Sequence, residues 1–279
     1  MISILIINLS SAKDRMAYQI GQMQRLGLAF ERLDAVSSAQ ASAMRDPAYW
    51  NTWERPLRDN EKACMLSHVN AWIRVVAQGK PMLIIEDDAL LSNKVPALLQ
   101  SLEGRTDMDF VNLEVRGKRK LMSRTTLPEM PELRRLYHGR RGSAAYIVWP
   151  SGARKLLAAT EKHAGLADAL LSSAYYLHAY QTDPAYAMQL DMCEYYGLHA
   201  QLETASSIGD GGKPDYNIAR SLAVTYKARR IWGQIRILLR RIATCRRATL
   251  QAVDVNLADF EFSRNYDDAL TKYHTGTRG

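Results

Sequence analysis

Apolar and polar positions along this chain follow two rhythms, short apolar runs that suit buried strands and mixed stretches that suit helices. Ile2 to Leu9 is a β-branched-rich apolar run and predicts a buried first strand. Ser10 to Arg15 is a polar turn with helix N-cap candidates, and Met16 to Leu26 reads as a helix ended by Gly27. Phe30 to Val36 predicts a short second strand. Residues 37–59 read as loop, with Pro47, Pro56 and the rings of Tyr49, Trp50 and Trp53. Asn60 caps a predicted helix through Gln78, stopped by Gly79 and Pro81. Met82 to Ile85, Met108 to Val115 and Ser143 to Trp149 predict further strands, the last followed by a helix from Ser151. Strands alternating with helices predict an α/β domain with a mostly parallel sheet. Residues 116–140, rich in Arg, Lys and Pro, read as a mobile excursion. The α/β domain is expected to span 1–215, with 216–279 a basic, amphipathic helical tail.

Composition narrows the class. Of 279 residues, 47% are apolar and 24% charged, proportions that exclude wholesale disorder. No apolar run approaches the roughly 20 residues that cross a bilayer. The first nine residues lack a basic leader and a small-residue cleavage site, so they do not read as a signal peptide. Cys64, Cys193 and Cys245 are widely spaced, without CxxC, and suggest reduced thiols in a cytoplasmic protein. The net charge of +8 is local: nine cations and no acid lie between Asp215 and Asp254, and the remainder holds 28 basic against 29 acidic residues. That distribution argues against a general nucleic-acid coat and for one local anionic partner.

The richest chemistry is in Leu83-Ile-Ile-Glu-Asp-Asp-Ala-Leu90. Consecutive carboxylates repel one another and raise their own pKa values unless something neutralises them. At the carboxyl end of a buried strand they stand where open α/β sheets bind ligands. Side-chain alternation puts Glu86 and Asp88 on one side and Asp87 on the other. A hard divalent cation, shared with substrate phosphates, would relieve the repulsion; a solvated acidic loop is the plainer account.

Further blocks stand in order along the chain: Ile7-Asn-Leu9 with Lys13-Asp-Arg15; Phe30 to Val36; Leu57 and Glu61-Lys-Ala-Cys64 with Ser67-His68 and Trp72; Ile84 to Asp88; Gly142 to Tyr146 with Gly152-Ala153 and Leu156-Leu157; and Gln201 with Ser206-Ser-Ile208. This series resembles family 25 of the glycosyltransferases, which includes bacterial lipooligosaccharide galactosyltransferases and collagen galactosyltransferases. Ser37-Ser38 stand where that family usually has an acidic residue and glycine. The resemblance implies a GT-A-like (Rossmann-like) fold, a UDP-hexose donor, galactose above others, Mn²⁺ or Mg²⁺, and transfer with inversion to a glycan acceptor such as lipooligosaccharide.

Such a reaction needs charge stabilisation on a departing nucleoside diphosphate and a base for the acceptor hydroxyl. Asp88 is the first expected metal ligand, with Glu86 or Asp87 assisting through water or the ribose. Asp168, where the family has Pro-Val-Asp, is the expected catalytic base; completing the metal shell or starting a helix are its other readings, and Asp191 is a weaker rival. Asn8 and Arg15, at the first strand's exit, suit a uracil edge or diphosphate, or simply turn capping and solvation. His68 reads as a structural hydrogen-bonder, Glu61 as a helix-dipole partner, and the three loop aromatics as packing residues before sugar platforms.

The basic stretch 220–247 has arginines on one face and Ile231, Ile235, Leu238, Leu239 and Ile242 on the other, with Trp232 at the edge. It is expected to meet an anionic membrane surface, placing the protein peripherally on the cytoplasmic face of an inner membrane. A helix burying its apolar face on the domain is the other reading. A catalytically silent nucleotide-sugar- or membrane-binding protein is the alternative to an enzyme. Nucleic-acid binding is not expected, for want of any reading motif.

Overall fold

A computed structural model describes residues 2–140, 142–200, 202 and 220–260. Its strands are β1 (Ser3–Asn8), β2 (Glu31–Asp34), β3 (Met82–Glu86), β4 (Ala89–Leu91), β5 (Phe110–Asn112), β6 (Glu114–Val115), β7 (Lys120–Leu127), β8 (Met130–His138), β9 (Ala145–Val148), β10 (Ala179–Thr182), β11 (Ala187–Gln189) and β12 (Ala248–Gln251). Its α-helices are α1 (Lys13–Leu26), α2 (Ser38–Ala41), α3 (Pro47–Trp50), α4 (Asp59–Gln78), α5 (Val95–Ser101), α6 (Pro150–Lys162), α7 (Ala167–Ser173) and α8 (Arg220–Thr244). The segment Gln201 and Ser206–Ile208, and the expected boundary near Asp215, lie outside the described residues.

Strand alternation builds two cores from one sheet. Leu5, Ile7, Met82, Ile84, Tyr146 and Val148 face one side, with Met65, Trp72 and Leu156 from α4 and α6. Ile4, Ile6, Leu83, Ile85 and Ile147 face the other, with Met23 of α1 and Leu98 of α5. Strands buried on both faces read as unbroken apolar runs for this reason. The large sheet has the order β12-β7-β8-β10-β5-β9-β3-β1-β2. β2 and β3 flank β1 on opposite sides, both parallel to it, so the carboxyl ends of β1 and β3 border a switch point where a crevice opens.

Two expectations are corrected. The sheet is mixed: β9 runs antiparallel between β3 and β5, and β8, β7 and β12 continue antiparallel beyond β10. A short all-buried run such as Ala145–Val148 fits either direction, so its sequence carries no sign of polarity. Residues 120–138 form the β7–β8 hairpin where a mobile excursion is expected. Met130 and Leu133 are buried in one core and Leu136 in the other. The cations between them are partnered: Arg134 Nε meets Asp183 Oδ2 at 2.6 Å, and Arg135 donates to the carbonyl of Leu177 at 2.9 Å.

A small second sheet, β4-β11-β6, ties together the segments that follow the acidic strand end. α8 lies against the β8 side of the body, and β12 returns the chain to the edge of β7. The orientation of α8 corrects the alternative in which its apolar face packs on the domain. Arg229 donates to the carbonyls of Asn51 and Trp53, and Arg240 to that of Tyr137, while Ile231, Leu238, Leu239 and Ile242 are exposed. No helix among the described residues is long and apolar enough to cross a membrane.

Candidate active site

At the switch point lies a cleft of about 800 Å³, lined among others by Arg15, Glu86, Asp87, Asp88, Arg116, Asp168 and Asp191. Glu86 ends β3, and Asp87 and Asp88 form the turn into β4. Two buried glutamines of α1 hold that turn. Gln19 Nε2 donates to the carbonyl of Ala89 at 2.8 Å and to that of Asp87 at 3.2 Å. Gln22 accepts from the Leu91 amide at 2.8 Å and donates to the Ala89 carbonyl at 3.0 Å.

Each carboxylate of the turn has a different neighbourhood. Asp87 accepts from Asn8 Nδ2 at 2.7 Å and pairs with Arg15 at 3.0 Å. Burial raises its pKa, and Arg15 and Asn8 offset only part of the rise. Asn8 is itself buried; it also donates to the Ala12 carbonyl and accepts from Arg32 Nε at 3.0 Å. Asn8 therefore orients Asp87 and is not itself among the residues that line the cleft. Arg15 does line the cleft.

Glu86 ends a relay of ring donors. Trp72 Nε1 donates to the Tyr146 hydroxyl at 2.9 Å, that hydroxyl meets His68 Nδ1 at 2.8 Å, and His68 Nε2 meets Glu86 Oε1 at 3.2 Å. A carboxylate offers no proton, so Nε2 donates to Glu86. Ser143 Oγ adds a hydrogen bond to the same oxygen at 2.6 Å. Burial pushes Glu86 upward, yet these bonds from His68 and Ser143 bring its pKa below the ordinary value. His68 is thus the structural hydrogen-bonder expected, and it fixes a site carboxylate.

Asp88 lacks such relief. Its contacts from Gln189 Nε2 are long, at 3.4 and 3.5 Å. Burial, then the charges of Glu86, Asp87 and Glu114, push its pKa well above the usual range. Glu114, from β6, is fully buried; burial first and Glu86 second take it up to about 7, against the hydrogen bond from the Ala144 amide at 2.8 Å. Its Oε1 is buried without a hydrogen-bond partner. Gly142 makes room for Glu114: at φ +111°, a Cβ there would lie 2.9 Å from Oε2.

This donor set fits a hard divalent cation. The half-buried Glu86 and Asp88 and the buried Glu114 carry like charges that repel one another, and one or two carboxylates completed by substrate phosphates is the usual arrangement for Mg²⁺. Among the described residues, the group of three whose ligand atoms converge within 4.8 Å of one another is instead Cys64, His68 and Glu86. It suits a metal less well. Both His68 nitrogens are engaged, and burial followed by the charges of Glu86 and Asp168 pushes the Cys64 thiol well above its ordinary pKa, holding it protonated.

Asp168, in the first turn of α7, also lines the cleft. Asp191 also lines the cleft and pairs there with Arg116 at 2.7 and 3.3 Å. Arg116 is a site cation that sequence reasoning missed, because it opens the Arg/Lys stretch read as an excursion. Glu114 and Gln189 were missed as well, since nothing local marks them, and Ser143 stood in a marked block without an assigned role. Glu61 does more than meet a helix dipole: it accepts from the Arg58 amide at 2.9 Å and pairs with Arg55 at 2.7 Å, fixing the loop that enters α4. The three aromatics pack: Trp50 is buried, Trp53 is partly buried, and the Tyr49 hydroxyl donates to the Thr160 carbonyl at 2.6 Å.

Comparison with known proteins adds the following. The model of "Glycosyltransferase family 25 (LPS biosynthesis protein)" matches residues 1–171. The chain is 25% identical over 215 residues to lipooligosaccharide biosynthesis protein lic2B of Haemophilus influenzae, covering 71% of this chain and 81% of that protein. It is 24% identical over 173 residues to procollagen galactosyltransferase 1 of Danio rerio, covering 56% of this chain and 28% of that longer protein. Among solved structures, the inositol-1-phosphate CTP transferase of T. maritima overlaps 68% of this chain and 89% of its own, at 11% identity and a TM-score of 0.38.

Proposed function

The chain belongs to glycosyltransferase family 25 and is a glycosyltransferase, and from that premise we propose that it moves a hexose, galactose first among candidates, from a UDP-sugar to a glycan acceptor with inversion, in a cation-dependent reaction. The observation that carries this reading is Asp88, a half-buried carboxylate lining the cleft at the switch point, whose charged neighbours are mostly of its own sign. Asp88 would hold the cation, with Glu86 or Glu114 assisting. When bound, such a cation supplies neutralisation of charge on the departing diphosphate.

The chain's own residues divide the remaining work. Arg15 and Arg116 line the cleft and offer guanidinium donors to the diphosphate. The relay from Trp72 through Tyr146 and His68 keeps Glu86 ionised and oriented. Asp168 takes the proton from the acceptor hydroxyl as its oxygen bonds to the anomeric carbon and the carbon–oxygen bond to the diphosphate breaks. A general base of this kind contributes about 10²–10⁴-fold. A glycan acceptor related to lipooligosaccharide is supported by the Haemophilus relative, and galactose by the zebrafish one.

The experiment is a panel of UDP-sugars with and without Mn²⁺, read by UDP release in the presence of candidate acceptors. Asp88→Asn is expected to abolish transfer in a folded protein. Asp168→Asn is expected to lower turnover by roughly 10²-fold or more while cation-dependent UDP binding survives. Loss of UDP binding in Asp168→Asn would move that residue to the cation. Wild-type-like turnover in Asp88→Asn would sink the reading, and UDP binding without transfer or hydrolysis of any donor would mark a silent protein.

A further inference from the structure

We propose that the outward face of α8 is a membrane-docking surface, inserting apolar side chains into the headgroup–acyl boundary of an anionic bilayer. The proposal is independent of the transferase reading, because it rests on which way this helix faces. At about 100° per residue, its contacts fall on two opposite stripes. On the inner stripe, the Tyr226 hydroxyl donates to Asn51 at 2.9 Å and Arg229 to the carbonyls of Asn51 and Trp53. Further along, Arg236 and Arg240 sit over the Tyr175 ring at 5.3 and 5.2 Å, Arg240 donates to the Tyr137 carbonyl at 3.1 Å, and Thr244 is buried.

The outer stripe holds Ile231, Trp232, Ile235, Leu238, Leu239 and Ile242, between 40% and 60% exposed. A surface helix ordinarily buries its apolar stripe and shows its charges. Here Arg229, Arg236 and Arg240 are engaged with the body by cation–π contacts and carbonyl bonds, and the apolar stripe is left outside, an arrangement suited to an interfacial helix. Its charge selects the occupant. No acid lies between Asp215 and Asp254, and exposed Lys227, Arg230, Arg246 and Arg247 lie along and just beyond the helix. A second copy would bring like charges together, whereas anionic headgroups complement them. Trp232, at the edge of the stripe, has the amphipathic ring that favours the interface.

The test is sedimentation of the full chain with vesicles of equal parts phosphatidylcholine and phosphatidylglycerol, beside vesicles of phosphatidylcholine alone. Wild type is expected to sediment with the anionic vesicles and to show a blue shift of emission that Trp232→Phe removes. Ile235→Asp/Leu238→Asp should lower the partition coefficient by about tenfold or more, with an unchanged melting temperature because both positions face outward. Absence of sedimentation overturns the proposal. So does undiminished binding by the double variant, which would make the contact purely cationic. A wild-type dimer in ultracentrifugation without vesicles that the same variant disperses would give the face to a second copy, and also overturns it.

Discussion

Among single residues, the carboxylates of the cleft carry the sharpest consequences. Asp88 and Glu114 have pKa values raised above their unfolded ones, so the folded chain binds their protons more tightly than the unfolded chain does. Stability from these groups is greatest at low pH. It falls as pH rises, for Glu114 between its ordinary 4.5 and about 7, and stays lost above that. Asp88→Asn removes one repelling charge. Without divalent cation it should raise the melting temperature near about pH 8, an advantage that shrinks towards about pH 4 where carboxyls protonate. Mn²⁺ should stabilise wild type and not the variant; thermal scans at the two pH values with and without the ion check both. Tyr146→Phe should cost about 1–3 kcal/mol in urea unfolding, because the buried Trp72 N–H and His68 Nδ1 both lose their partner. It should also slow transfer, since Glu86 is then held only through Ser143 and an unanchored His68.

At the level of elements, α6 shows why a short sequence block can matter without touching substrate. Its first turn presses on the strand-leading residue Asp109, whose carboxylate accepts from Ser151 Oγ and Lys155 Nζ, both at 2.6 Å, and from the His178 amide at 2.8 Å. A Cβ at Gly152 would fall 2.2 Å from the Asp109 carbonyl, a backbone atom that cannot step aside. Gly152→Ala should therefore destabilise by about 1–3 kcal/mol, measured by chemical denaturation, with glycosyl transfer per folded molecule little changed. Elements with one strong periodic or apolar signal were legible in the sequence: β1, α1, α4 and the acid-tipped β3 all stand where pattern places them. Strand direction was not, because buried runs such as β9 look alike both ways. The β7–β8 hairpin was hidden by cations whose partners, Asp183 and the Leu177 carbonyl, lie far along the chain. At the site the same division holds: Glu86 to Asp88 announce themselves in one run, whereas Glu114 and Arg116 join them only through topology.

For the molecule as a whole, the return of the chain after α8 changes what a truncation would mean. β12 covers the outer edge of β7, pairing Ala248 with Ser123 through Gln251 with Lys120. A chain ending at Thr244 would leave that edge unpaired; it should aggregate in light scattering and melt several degrees lower, whatever α8 does. Point substitutions on the helix are therefore the cleaner probe of its outer face. The small sheet carries a consequence of another kind, one of timing. It staples together Asp88 before β4, Glu114 in β6 and Gln189 in β11, three stretches far apart along the polypeptide. Long loop closures form slowly, and during synthesis the amino-terminal stretch leaves the ribosome first. The parallel layer β3-β1-β2 can assemble while the cleft still lacks one wall, and the binding site is complete only once Gln189 has joined the stretch that carries Asp88.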